Sequence, residues 1–219
     1  KELNIPKETI RRKVNFLQDQ NIIFRKGKTI FFNNAINRVQ KPSNSKKMLV
    51  NFLEKTSSIL GKEQWAWLKD GLLASDATFK ILACGMIWDD KKNTESDDWG
   101  TYMHERQAIQ TWLGENRIEG VVLIGGDIHV SRLLKYDTIE QVGYPIYQFI
   151  TSPMHSSVIP SLNVPHPALI KSAEEPYVFL KLNVDSTVSP EKLEAVWINR
   201  DGKRIFDVKI DRNELSRSD

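Results

Sequence analysis

Cysteine is almost missing from this chain: Cys84 stands alone among 219 residues, which excludes an intrachain disulfide and leaves the redox compartment open. Within the apolar run Phe79-Lys80-Ile81-Leu82-Ala83-Cys84 it reads as a small core residue. Long hydrophobic runs are missing too. None approaches the roughly 18 residues that a bilayer crossing requires, so no membrane span is expected. The first residues, Lys1-Glu2-Leu3-Asn4, lack the apolar stretch and small-residue cleavage site of a signal peptide. A cytoplasmic location is expected if the chain is complete, and an exported one if an upstream signal belongs to it. There is no internal repeat and no long low-complexity tract.

What is present is a globular composition, with 40% hydrophobic and 27% charged residues and a length that suits one large domain or a domain with a small appendage. The net charge of +3 conceals an asymmetry. Residues 1–48 hold 12 Lys/Arg against 3 Asp/Glu, whereas the remainder holds 19 against 25. A basic head therefore precedes an acidic body, and the head alone carries the charge expected for contact with nucleic acid or a membrane surface.

Within the head, Pro6 opens a run in which Ile10, Val14 and Leu17 recur at helical spacing, with Arg11, Arg12 and Lys13 largely off that stripe. Two β-prone runs follow, Ile22-Ile23-Phe24 and Thr29-Ile30-Phe31-Phe32, joined through Arg25-Lys26-Gly27-Lys28 as a tight hairpin. A short helix followed by a basic hairpin, residues 1–34 in all, resembles the recognition helix and wing of winged-helix DNA-binding domains. That resemblance implies duplex DNA contact through Arg11, Arg12, Lys26 and Lys28. Residues 35–47, including Lys41-Pro42-Ser43-Asn44-Ser45-Lys46-Lys47, are polar and aperiodic and read as a linker.

From residue 48 to 219 the pattern alternates. Met48–Leu60 and Glu63–Leu73 read as helices, the second with Trp65, Leu68 and Leu72 on one face, and Phe79–Ile87 reads as a buried strand. A helix over Met103–Asn116 places Ala108, Ile109, Trp112 and Leu113 on its apolar side, and Gly120–Ile124 is a short continuous apolar strand. Further strands are expected over Tyr144–Ile150, Val178–Val184, Leu193–Ile198 and Arg204–Ile210, the last two joined as a hairpin around Asp201-Gly202. Val178, Leu180, Leu182 and Val184 alternate onto one face. This order of elements defines an α/β (α+β) layered domain.

The chemistry concentrates in Val121-Val122-Leu123-Ile124-Gly125-Gly126-Asp127-Ile128-His129. A carboxylate and an imidazole stand two residues apart just beyond a buried strand, where open α/β sheets place ligands, and the glycines let backbone approach closely. Carboxylate oxygen suits hard cations and imidazole suits iron, zinc or manganese, so the pair Asp127 and His129 fits a mixed metal site.

Five landmarks occur in order: Leu60-Gly61-Lys62-Glu63-Gln64-Trp65-Ala66-Trp67-Leu68, then Phe79-Lys80-Ile81, then Asp98-Trp99-Gly100-Thr101-Tyr102 with Glu105-Arg106, then Gly126-Asp127-Ile128-His129, then Gly143-Tyr144-Pro145-Ile146-Tyr147 leading to Thr151-Ser152-Pro153. Over residues 48–212 they resemble the C-terminal half of PhoD-like alkaline phosphatases. The resemblance implies part of a calcineurin-like metallophosphoesterase sandwich, two β-sheets flanked by helices, that hydrolyses phosphate mono- or diesters. It implies Asp127 and His129 as metal ligands and catalytic residues, with calcium and iron as the associated ions. The residues themselves do not separate those ions from zinc or manganese. The family's earlier ligands belong on segments upstream of Gly61, and none of those segments is present in this sequence. A poorly active chain is therefore expected.

Other polar residues take lesser places. Asp89 and Asp90 read as loop carboxylates near the site mouth, Arg106 as a phosphate contact or a helical ion-pair partner, and His155 as a pocket-lining residue. His104 reads as surface and His166 as part of a loop. Ser152 with His155 has no Gly-x-Ser-x-Gly elbow around it, which excludes the usual serine hydrolase arrangement. The alternative to an enzyme is a DNA-binding regulator in which the basic head acts and the phosphatase-like body is degenerate.

Overall fold

The computed structural model describes residues 15, 18–19, 23–26, 29–32, 58–89 and 97–217. These fall into two compact units, one holding the segment before Leu60 and the other holding nearly everything from Leu60 onward. In the first unit β1 (Ile23–Lys26) and β2 (Thr29–Phe32) pair antiparallel from Ile23 opposite Phe32 to Lys26 opposite Thr29. The hairpin is tighter than the sequence suggests, because Arg25 and Lys26 belong to the strand. The expected positions of Arg11, Arg12 and Lys28, the linker, most of the first helix and the start of the Met48–Leu60 helix lie outside the described residues. Ser58 to Leu60, at the end of that expected helix, is not helical.

The second unit begins with α1 (Gly61–Ala74) and β3 (Lys80–Ala83), followed by α2 (Met103–Glu115) and β4 (Val121–Gly125). Next come β5 (Ser131–Tyr136), the single turn α3 (Ile139–Val142), β6 (Ile146–Ile150) and β7 (Leu169–Ala173). The chain closes with β8 (Val178–Asp185), β9 (Lys192–Asn199) and β10 (Arg204–Asp211). A five-stranded sheet has the order β3-β4-β6-β5-β7, and a three-stranded sheet has the order β10-β9-β8. Strands β3, β4 and β6 run parallel, whereas β5 and β7 join antiparallel, so the larger sheet is mixed.

The strand expected over Phe79–Ile87 is shorter than its apolar run. As the sheet's edge strand, β3 buries Leu82 but leaves Ile81 42% exposed, and Ile87 is buried in the turn that follows. By contrast β4 and β6 are buried along nearly their whole length, as central strands covered on both faces must be. On one face of β6, Phe149 meets Trp197 of β9 edge to face at 5.7 Å, and the Trp197 indole N–H donates to the Ile150 carbonyl at 2.8 Å. That contact packs the two sheets together. On the other face lies a core of Ile87, Ile128, Val130, Leu134 and Ile150. There α2 also reaches the sheet, placing the Arg106 guanidinium over the Tyr136 ring. The result is a two-sheet α/β sandwich flanked by helices. On α2 itself Ile109 and Leu113 are buried, but Ala108 is exposed. Along β8 the alternation holds while its burial fades from Val178 to Val184, which is 53% exposed.

Candidate metal centre

Because β3, β4 and β6 are parallel, the loops that leave their C-terminal ends emerge from one edge of the sheet. The ladder continues briefly past the strands: Cys84 N–H donates to the Ile124 carbonyl at 3.0 Å, and Thr151 N–H donates to the Gly125 carbonyl at 3.1 Å. Three segments thereby converge, residues 84–89, 126–130 and 151–159. Their approach is close enough to require glycine. A Cβ on Gly125 would lie 2.7 Å from Gln148 Nε2 and 2.8 Å from the Met86 carbonyl oxygen.

After Gly126 the backbone turns through two non-glycine residues in the left-handed region, Asp127 at φ 73° and His129 at φ 55°. Asp and His tolerate this region better than most residues, yet such strain persists only where the surroundings enforce it. Between them Ile128 is 1% exposed and sits in the apolar core. The core thus holds the middle of the turn, while Asp127 is exposed and His129 half-buried. Further restraint acts on the His129 backbone, whose N–H donates to Ser152 Oγ at 3.1 Å and whose carbonyl accepts from Ile159 N–H at 3.3 Å.

His129 Nδ1 is buried and has no hydrogen-bond partner. The His155 ring meets the His129 ring edge to face, with centroids 4.8 Å apart. His155 is exposed and its Nδ1 accepts from Ser157 N–H at 3.0 Å, which leaves Nε2 as the ring's other hydrogen-bonding atom. Of the residues expected at a site, then, Asp127, His129 and His155 are gathered at one edge. Among the described residues no group of three or more His, Cys, Asp or Glu is arranged to hold a metal ion.

Asp89 and Arg106 belong to a different constellation. Arg106 Nη1 lies 3.1 Å from Asp89 Oδ1 and donates to the Trp88 carbonyl at 2.6 Å, while His166 Nε2 lies 3.2 Å from Asp89 Oδ2. His166 Nδ1 accepts from Ala168 N–H at 3.0 Å, which leaves Nε2 to donate to Asp89. Beneath them the Tyr136 hydroxyl donates to Gln148 Oε1 at 2.6 Å, and burial reinforced by the Asp89 charge pushes its pKa well above the usual phenol range, so it stays protonated. Arg106 is therefore held by protein partners. The Asp98-Trp99 landmark is a packing device: Asp98 Oδ1 accepts from both the N–H and the hydroxyl of Thr101, and Trp99 stacks on Trp88 at 4.4 Å. Ser131 carries no local sequence signal of a functional role. The sole signal for Ser152 was its place in the Thr151-Ser152-Pro153 landmark.

The second unit is thus an α/β sandwich with a strained carboxylate–imidazole turn at the edge of its parallel strands. A family profile described as PhoD-like phosphatase matches residues 21–212, and the chain belongs to that family. Its match begins before the β1–β2 hairpin. A solved structure titled "Structure of PhoD" is similar in fold, with a TM-score of 0.51 and 17% sequence identity over 71% of this chain. This chain spans 33% of that one's length. Among curated proteins none matches.

Proposed function

We propose that this chain carries part of a metal-dependent phosphate mono- or diesterase site, with Asp127 and His129 as metal ligands. The observation that carries the reading is the double left-handed turn, which sets a carboxylate and an imidazole with an unpartnered buried nitrogen on one strand end. The donor set fits calcium, iron, zinc or manganese: oxygen from Asp127 and nitrogen from His129. A bound metal would polarise the phosphoryl oxygens and lower the pKa of bound water. The chain's own share is to hold the Asp127 charge at the sheet edge, to fix the His129 ring against His155, and to keep apolar Ile128 behind both. Two ligands do not close a two-metal centre, so turnover by this chain alone is expected to be low.

The test is hydrolysis of bis(p-nitrophenyl) phosphate with added calcium, iron, zinc or manganese. Hydrolysis that requires metal and falls at least about tenfold in Asp127→Asn and His129→Ala supports the reading. Hydrolysis equal with and without chelator, or untouched by both substitutions, overturns it.

A second reading applies to the head alone, where the β1–β2 hairpin carries Lys26. Duplex DNA contact through Arg11, Arg12, Lys26 and Lys28 would show as salt-dependent binding whose slope flattens when all four become Gln.

A further inference from the structure

Both hydrogen-bonding groups of the His129 backbone are taken by a single segment, residues 152–159. Ser152 Oγ accepts from the N–H, and Ile159 N–H donates to the carbonyl. The segment's own start is fastened to β5 by a second serine. Ser131 Oγ donates to the Ser152 carbonyl at 3.1 Å and accepts from Ser152 N–H at 3.4 Å. Ser131 is 0% exposed and Ser152 7%, so solvent does not substitute readily for these bonds. The Ser152 backbone is thereby fixed from behind, and its hydroxyl presents an acceptor to the His129 N–H.

We propose that Ser152, held by Ser131, is a positioning residue for the metal ligand His129. The inference rests on the metal-site reading above and adds how the site is kept in register. Two left-handed residues flanking one core residue form an arrangement that the backbone would otherwise relax, and relaxation would separate the carboxylate of Asp127 from the imidazole of His129. Supporting groups of this kind orient ligands without touching the ion, and their loss typically costs about 10- to 100-fold in metal affinity. The acceptor on Ser152 matters here more than its size.

The experiment uses the full chain with Ser152→Ala, Ser152→Cys and Ser152→Thr. Cys keeps the volume with a much weaker acceptor, and Thr keeps the hydroxyl. In the metal-free protein, NMR hydrogen exchange at the His129 amide should accelerate about tenfold or more in the Ala and Cys variants and stay near the parent rate in Thr. Titration with Mn²⁺, followed by paramagnetic broadening, should show affinity weakened about tenfold in Ala and Cys and restored in Thr, with the remaining amide spectrum unchanged. Unaltered exchange and affinity in Ala and Cys overturn the proposal, as does a loss in Thr equal to that in Ala. If Mn²⁺ broadens no resonance of the parent chain, the metal reading fails by itself. The metal-free exchange data still decide whether Ser152 holds the His129 turn.

Discussion

His129 and His155 meet edge to face with ring centroids 4.8 Å apart and planes inclined at 73°, although they leave different strands of the sheet. The contact orients the His129 ring, while His155 is anchored through its own Nδ1 by Ser157. His155 is therefore expected to support the site rather than ligate the ion. His155→Ala should weaken Mn²⁺ binding by about 10- to 100-fold and leave it measurable, whereas His129→Ala should abolish it. Equal losses, read by Mn²⁺ titration, would make His155 a ligand.

Gly125, the last residue of β4, lies close against Gln148 of β6 and the turn after β3. An alanine methyl there would meet Gln148 Nε2 at 2.7 Å and the Met86 carbonyl at 2.8 Å, and the backbone oxygen cannot swing aside. Gly125→Ala should cost about 1–3 kcal/mol in chemical denaturation. A cost near zero would mean that the turn after β3 yields freely.

The larger sheet was only partly legible in the sequence. Val121 to Ile124 announces a central strand because it is apolar throughout, and the site pair stands at its end where such strands place ligands. Strand β5 did not announce itself, since Arg132 and Lys135 interrupt its apolar residues. Yet Arg132 is 2% exposed, with its guanidinium donating to the Val164 carbonyl and its charge near Asp89. Burial of a charge through tertiary partners leaves no periodic trace. Strand β7 was hidden for the opposite reason: it is an edge strand whose middle residues, Ile170 to Ser172, face solvent. The backbone strain at Asp127 and His129 and the hold of Ser152 depend on distant chain segments, which no local pattern encodes.

The joint between the two sheets should be the most sensitive apolar contact. Trp197 is fully buried, packs on Phe149 and Phe206, and donates to the Ile150 carbonyl. Trp197→Ala should cost about 3–5 kcal/mol. Trp197→Phe keeps most of the packing and loses the hydrogen bond, for about 1–3 kcal/mol. Denaturant titrations that put both variants within error of the parent would contradict this packing.

Acid sensitivity should arise at Glu119. Burial alone would raise its carboxyl, but the Arg217 backbone N–H at 2.9 Å and the Arg212 guanidinium at 2.8 Å outweigh that and hold it below its ordinary value. A carboxyl depressed in the folded state stabilises fully above its unfolded pKa and loses that contribution as pH falls through the folded one. The melting-temperature gap between the parent and Glu119→Gln should be constant from neutrality to about pH 5 and close below about pH 4. A gap that does not narrow in acid would show that the ion pair with Arg212 carries no linkage.

On the proposed reading, Asp127 and His129 bind a metal ion together at the end of β4. Mn²⁺ titration of the isotopically labelled full chain tests it most directly, because paramagnetic broadening locates even a weak site. Resonances of Gly126 to His129 should broaden first, and Asp127→Asn and His129→Ala should each abolish this. Broadening that begins elsewhere, or that survives both substitutions, would contradict it.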